Sequence, residues 1–522
     1  MTKGKETISQ EYANAGFSKL RSFLWPIHWF EIKKFIPMMV LFFLISFNYH
    51  LLRIAKDVLI ITAPGSGAEA IPFLKVWAML PTAVIMVFFL TKLSNRYNRE
   101  NVFYVMIGSF LAFFLLFVTV LYPLRESLYL NDFADTLKAS LPAGLSGLIA
   151  IIRYWILTLF YVVAESWSNI MLSVMLWGLA NDVTSVTEAR RFYPLFGIGI
   201  NASGILAGRI GGILANSMTT TSTTFNKVGS YFSNGDAWDQ TVTLFVILVI
   251  VVGIVSILLY RWMHIYIFVD HKNLDHQDGK GHELKKKPKL KLSENIKHVA
   301  QSKYLICIAI IVLSYNITIN FTEVLWKSQM KELFPSPGEY TAYMSKVTTY
   351  VGIIATLSSY FISGNVIRRC GWKFAALATP FLIIVTGAGF FTFLFLKQYV
   401  YAGTAAMILG MSPLAITVLF GSMQNCLSRS AKYTVFDDTK EMAYIPLSPT
   451  EKVRGKSAID GIGSRLGKSG ASMSLQGLLL VFATPIACAP YIGAMILAIL
   501  PLWIGSVRSL SKQFDKASGH HQ

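Results

Sequence analysis

Apolar runs of about twenty residues recur about a dozen times along this 522-residue chain. An α-helix rises 1.5 Å per residue, so about twenty residues cross the ~30 Å hydrocarbon core of a bilayer. Only helices and closed barrels satisfy their backbone polar groups there, and barrel strands run to just ~9–11 residues. The chain therefore reads as an all-α polytopic membrane protein. Charged residues make up 14% and hydrophobic residues 54%, against about 25% charged in soluble domains. Twelve spans are expected, at 36–62, 71–92, 101–122, 148–178, 190–217, 240–268, 303–332, 341–367, 373–396, 401–427, 455–482 and 485–507.

The formal net charge is +19. A strongly basic chain suggests nucleic acid, but cytoplasmic loops of membrane proteins also concentrate Lys and Arg. The distribution decides between them. Lys33, Lys34, Lys92, Arg96, Arg99, Arg190, Arg191, the lysines between 272 and 297, Arg368, Arg369, Lys373, Lys452, Arg454, Lys456, Arg508, Lys512 and Lys516 fall on one side of the expected topology. The short loops of the other side, 63–72 and 483–490, hold almost none. Both termini and the central loop are thus expected in the cytoplasm, with lipid as a partner and no nucleic acid. The N-terminus lacks the features of a cleavable signal or transit peptide, which favours a bacterial inner membrane. Cys307, Cys370, Cys426 and Cys488 lie in apolar stretches, too widely spaced for a metal knuckle, and read as small buried hydrophobes.

The basic stretch 270–302 divides the chain into a cytoplasmic segment 1–35, a six-helix half 36–269, a linker, a second half 303–508 and a tail 509–522. Weak internal similarity supports the division. Ser46-Phe-Asn48-Tyr49 matches Ser314-Tyr-Asn316. Glu188-Ala-Arg-Arg191 leading to Gly197-Ile-Gly199 matches Glu451-Lys-Val-Arg454 leading to Gly461-Ile-Gly463. Parallel six-helix halves with a midplane site at their interface describe a major-facilitator-like architecture.

Charges inside the spans are the candidate functional residues, since each costs about 2.5–3.5 kcal/mol on insertion scales. Arg53 and Lys56 share one helix face, as an anion-docking pair or with Lys56 snorkelling at the helix end beside Asp57. Glu165 and Glu323 are placed to pair a cation, carry a proton or hold a ribose hydroxyl; Glu323 and Lys327, at i,i+4, can also simply neutralise each other. Asn316 and Asn320 lie on the helix of Glu323. Phe436-Asp-Asp-Thr-Lys440-Glu441-Met-Ala-Tyr-Ile-Pro446-Leu alternates charged and apolar residues and is expected to dip into the protein. Asp460-Gly-Ile-Gly-Ser-Arg465-Leu-Gly-Lys468-Ser-Gly470 is not a P-loop: five positions ahead of Gly467, with four residues between, the motif needs Gly and meets Ile462. It reads as a glycine-rich span with Asp460, Arg465 and Lys468 as candidate site residues and the two cations as phosphate contacts. Tyr49, Trp167, Tyr315 and Phe321 are candidates to stack a base, though singly each suits packing. Several cations with carboxylates among them suggest an anionic substrate. No metal cluster, cofactor motif or nucleophile elbow is present, which disfavours a membrane-embedded enzyme.

Longer motifs go further. Leu-Arg53-Ile-Ala-Lys56-Asp57, Ala63-Pro-Gly-Ser-Gly-Ala-Glu-Ala-Ile-Pro72, Glu323-Val-Leu-Trp-Lys327, Gln424-Asn-Cys-Leu-Ser-Arg429, Phe436 to Leu447 and Ala458 to Gly470 resemble the nucleotide transporter (ATP/ADP translocase) family of chlamydiae, rickettsiae and plastids. The resemblance implies twelve helices, nucleotide transport without a cofactor by a monomer, and functional charges at Lys56, Glu165, Glu323 and Lys440. Two departures stand out. Ile54 and Ala55 replace the Asp and Thr of the family's first-span motif, and Glu165-Ser-Trp-Ser-Asn169 replaces its Glu-Leu-Trp-Gly-Ser. The second half is similar to ATP/ADP exchangers, so exchange is expected; proton-coupled uptake of nucleoside triphosphates, or movement of NAD or another nucleotide, is the alternative within the family.

Overall fold

In the computed structural model, which describes residues 21, 25–217, 236–267, 298–361, 363–396 and 410–518, the apolar runs are helices. The linker expected at 270–302 lies mostly outside the described residues, as does the start of the tenth expected span. The long helices are α1 (Ile32–Ile61), α2 (Ala70–Arg96), α3 (Arg99–Leu121), α4 (Trp155–Val183), α5 (Val186–Ser217), α6 (Ala237–Tyr266), α7 (Lys303–Leu333), α8 (Pro337–Phe361) and α9 (Ser363–Leu396). Then come α10 (413–443), α11 (449–482) and α12 (Ala489–Ser518). Nine stretches of helix among the described residues are long and apolar enough to cross a membrane. The stretches in α8, α10 and α11 are more polar, which accords with their lining an interior instead of facing lipid.

Several boundaries move. The expected fourth span 148–178 breaks at Tyr154, so Ser146–Arg153 is a separate short helix and the span begins at Trp155. α9 is interrupted at Gly371, whose φ of 81° suits a residue without a Cβ. α12 runs on to Ser518, so the expected tail from 509 is helical as far as that residue. The segment 436–447 continues α10 to Ala443 and then turns through Tyr444, which is fully buried; it does enter the protein. Cys307, Cys426 and Cys488 are buried, but Cys370 is exposed beside the Gly371 turn.

Packing repeats with a six-helix offset. α1 packs on α4, α5 and α6, while α7 packs on α10, α11 and α12. At the basic end, Lys34 reaches Glu188 at 2.9 Å and Arg191 pairs with Glu31, tying α5 to α1 and to the turn that precedes it. Burial pushes the Glu188 carboxyl up, but hydrogen bonds from Lys34 and Ser185 outweigh it and hold the group below its usual range. Correspondingly, Lys456 pairs with Glu441 and Lys440 lies 3.1 Å from Asp460, tying α11 to α10.

The opposite end carries the loops 62–69 and 122–154, and there the first six helices meet the last six. The Gln476 amide donates to the Pro72 carbonyl at 2.9 Å and Lys331 donates to the Ser66 carbonyl; within the first half, Tyr154 donates to the Pro64 carbonyl at 2.5 Å and holds the same loop. Gly144 lies so close to Leu479 and Leu480 of α11 that a Cβ would strike their backbone. Toward the basic end, by contrast, α2 buries no residue from Met79 to Arg96.

The most extensive contact among the described helices joins α5 to α8. Glycines make it close. A Cβ at Gly352 would sit 2.8 Å from the Ile205 nitrogen and 3.0 Å from the Asn201 carbonyl. Gly352→Val is therefore expected to cost about 1–3 kcal/mol through overpacking and to lower the thermal midpoint in detergent. Gly197→Ala, where nothing lies within 4 Å, is expected to leave the midpoint unchanged or raise it slightly.

Candidate functional site

Four helices contribute one continuous chain of opposite charges. α1 supplies Arg53, Lys56 and Asp57 from one face. Lys56 Nζ lies 3.0 Å from Asp57 Oδ1 and 3.3 Å from Glu165 Oε2 of α4, and sits 3.9 Å above the Tyr161 ring. Tyr161 and Glu165 are one helical turn apart, so they present ring and carboxylate to the same ammonium. The second Asp57 oxygen accepts from Lys327 Nζ of α7 at 2.8 Å. Lys327 in turn lies 3.0 Å from Glu323 Oε1. Arg429 of α10 donates to the same Glu323 oxygen at 2.9 Å and to Asn425 Oδ1 at 3.0 Å.

Burial grades along this chain. The Asp57 and Lys327 side chains are 1% and 2% exposed, whereas Glu165 at the α4 end is 35% exposed. The middle is dry and the Glu165 end opens to space. α1 is unbroken from Ile32 to Ile61, so Lys56 needs no helix break to be covered; packing from α4 and α7 buries it.

The polar backbone of the bundle is irregular where these charges lie. Five π-helical turns occur among the described residues, one at Phe117–Leu121 away from these charges and four beside them at Leu74–Ala78, Ser168–Leu176, Lys432–Phe436 and Ser457–Gly463. Such turns rotate the residues that follow and recur at functional sites. Here the four carry or adjoin Lys75, Glu165, Arg429 with Lys432, and Asp460.

The expected site residues separate into groups. Lys56, Glu165, Glu323 and Lys327 join in the chain just described. Lys440 belongs to a second cluster with Asp460 at 3.1 Å and with Asp437 and Glu441 each at 3.9 Å; Lys432 adds a 2.8 Å contact to Asp437. Asn320 is buried and donates to the Lys468 carbonyl at 3.0 Å and to Ser472 Oγ at 2.9 Å. Asn316 does not join the charges: its amide donates to the Val312 carbonyl of its own helix. Arg465 and Lys468 are exposed on α11. Trp167, Tyr315 and Phe321 are packing residues, at most 3% exposed, with the Trp167 indole donating to the Ile45 carbonyl. Arg53 is buried, and neither an ion pair nor a hydrogen bond of its side chain is found among the described residues.

Three members were not among the candidates read from the sequence. Asp57 looks like a helix-end marker, yet it is the acceptor that joins α1 to α7. Arg429 lies in a quoted motif but carries no sign of its partner Glu323, 106 positions away. Lys75 is the one charge of the second expected span apart from Lys92 at its basic end, and that was the available signal. Three cations, Lys56, Lys327 and Arg429, balance the three carboxylates of this centre. Arg53, one turn from Lys56, and Lys75, which donates to Asn320 of α7, add positive charge beside it. The described residues hold no group of three or more His, Cys, Asp or Glu side chains that would take a metal.

Comparison with known proteins agrees with this chemistry. Residues 10–514 match the family model described as TLC ATP/ADP transporter. The ADP,ATP carrier protein 1 of Chlamydia muridarum is 43% identical over 507 residues, 97% of this chain and 93% of that protein. The chloroplastic ADP,ATP carrier protein 1 of Arabidopsis thaliana is 39% identical over 488 residues, 93% of this chain and 74% of that protein. Among solved structures, a bacterial metal transporter aligns with a TM-score of 0.54 at 13% identity, covering 91% of this chain and 98% of that one. A bacterial homologue of the iron transporter ferroportin, in an inward-facing state, aligns at 0.53 and 13% identity, covering 94% and 100%. These two support a major-facilitator-like fold and nothing about cargo. On the strength of the family model and of relatives about 40% identical over nearly its whole length, this multi-pass membrane protein belongs to the TLC ATP/ADP transporter family.

Proposed function

We propose that the protein exchanges ATP for ADP across a bacterial inner membrane by alternating access, both termini lying in the cytoplasm and the carrier working as a monomer. The observation that carries this reading is the ion chain from Glu165 through Lys56, Asp57, Lys327 and Glu323 to Arg429. It spans helices from both halves of the chain; its three carboxylates and three cations balance, so Arg53 one turn from Lys56 and Lys75 at Asn320 leave an excess of positive charge beside it. A nucleotide with three or four negative charges satisfies that excess, whereas a neutral solute or a cation does not.

The two halves are 36–269 and 303–508, rocking against each other about the α5–α8 seam. Closure at the loop end and the bare surface of α2 toward the basic end describe a carrier open to the cytoplasm. Lys56 and Lys440, one from each half, hold phosphate oxygens, with Arg53, Arg465 and Lys468 beside them. The carboxylates act as stand-ins for substrate: Asp57 and Glu165 neutralise Lys56 when no phosphate is there, and Asp460 does the same for Lys440. An empty carrier can then exist without bare buried charge, yet its ion pairs must be broken to reorient, which slows return without cargo. That asymmetry is what exchange requires.

One observation favours a second reading. Glu165 is the most exposed carboxylate of the chain, as a proton carrier would need to be. Counterflow separates the two. Proteoliposomes preloaded with ADP are expected to take up labelled ATP at least about tenfold faster than empty ones, and a protonophore is expected to change nothing; uptake that ignores preloading but collapses with the protonophore would instead establish symport.

Lys56→Ala and Lys440→Ala are each expected to weaken nucleotide binding by about 10–100-fold, the loss of one charge-assisted phosphate contact. Equilibrium binding of labelled ATP to purified protein reads this directly, and unchanged affinity in both variants would remove these lysines from the site.

A further inference from the structure

Lys75 is, with Arg53, a cation of this site that pairs with no carboxylate among the described residues, and it alone of the two makes a side-chain hydrogen bond there. Lys56 is shared by Asp57 and Glu165, Lys327 by Asp57 and Glu323, Arg429 is taken by Glu323, and Lys440 by Asp460. Lys75, in the π-helical turn Leu74–Ala78 of α2, makes no ion pair with a carboxylate among the described residues. Its ammonium donates instead to Asn320 Oδ1 of α7. The Asn320 nitrogen is itself fixed by donating to the Lys468 carbonyl and Ser472 Oγ of α11, so a single side-chain amide joins α2 to α7 and α11 across the two halves. Asn320 lies one helical turn before Glu323 on α7, so its contact brings Lys75 beside the ion chain.

A neutral amide is a weak partner for an ammonium inside a membrane. A charged acceptor makes a hydrogen bond roughly twice as strong, and an ammonium far from water is costly until it finds one. The carboxylates within reach are already committed. A phosphate oxygen arriving in the cavity is the remaining anion.

We propose that Lys75 is a phosphate ligand of the transported nucleotide, and that Asn320 is the place-holder the phosphate displaces. Displacement also severs the α2–α7 contact, so anion binding loosens the closed loop end and couples loading to reorientation. The inference rests on the nucleotide-exchange reading, and its site lies one helical turn from Glu323.

The test measures competition by ATP, ADP and AMP against labelled ATP on purified full-length protein. Lys75→Gln is expected to weaken ATP and ADP by about 10–100-fold and AMP by less than about threefold. Lys75→Arg, which keeps the charge, is expected to restore most of the loss. Asn320→Asp gives Lys75 a permanent carboxylate and is expected to weaken ATP and ADP while raising the thermal midpoint of the nucleotide-free protein. A structural role for Lys75 would lower all three affinities alike, so an unchanged ATP-to-AMP ratio in folded Lys75→Gln or in Asn320→Asp overturns the proposal. Inorganic tripolyphosphate serves as a second probe. If the wild-type protein binds no nucleotide, exchange is wrong; if it then binds tripolyphosphate and Lys75→Gln does so equally well, this inference falls separately.

Discussion

The Asp57–Lys327 ion pair is the contact on which the rest of this molecule turns. Its two side chains are nearly inaccessible and come from helices 270 positions apart. Removing one partner of such a pair typically costs about 3–5 kcal/mol because the other is left as a bare buried charge. Each member is doubly engaged, Asp57 with Lys56 and Lys327 with Glu323, so the pair transmits charge balance from one set of six helices to the other. A change at either end of the chain, whether proton, phosphate or substitution, is felt where the two sets meet.

This arrangement reconciles two requirements that conflict in a carrier for polyanions. The site must be cationic enough to strip a nucleotide of water, yet an empty cationic cavity in a membrane would be unstable. In the proposed exchange, alternating carboxylates ease the conflict by occupying Lys56, Lys327, Arg429 and Lys440 until phosphate arrives. The α5–α8 seam, with glycine against backbone, gives the two sets a close surface along which to turn while these pairs exchange partners.

Much of the fold could be read from hydrophobic runs and the distribution of Lys and Arg, because a bilayer imposes length and composition on every span. The lysines and glutamates inside spans were equally visible, since each violates that rule; Lys56, Glu165, Glu323 and Lys327 do meet. What the sequence did not disclose is partnership. Asp57 next to Lys56 suggested a helix end, while its decisive contact is to α7. Arg429 and Glu323 lie on different helices, and no local pattern links them. Asn316 shares the helix and nearly the face of Asn320, yet it spends its amide on its own backbone. The break at Tyr154 and the turn at Gly371 also escaped, because hydropathy reports where a chain is apolar and not where it bends.

The loop end is held in a particular way. The side chains of Lys331, Gln476 and Tyr154 all donate to main-chain carbonyls, those of Ser66, Pro72 and Pro64, and Gly144 meets the backbone of Leu479. Closure there reads the path of the 62–72 loop and not its side chains. The acceptor residues are thus free to vary in identity as long as the chain keeps its course, whereas a single inserted or deleted residue would misalign every donor at once. The loop end is therefore tuned to loop length: its side chains can change at little cost, but its length can change only with the whole set of contacts.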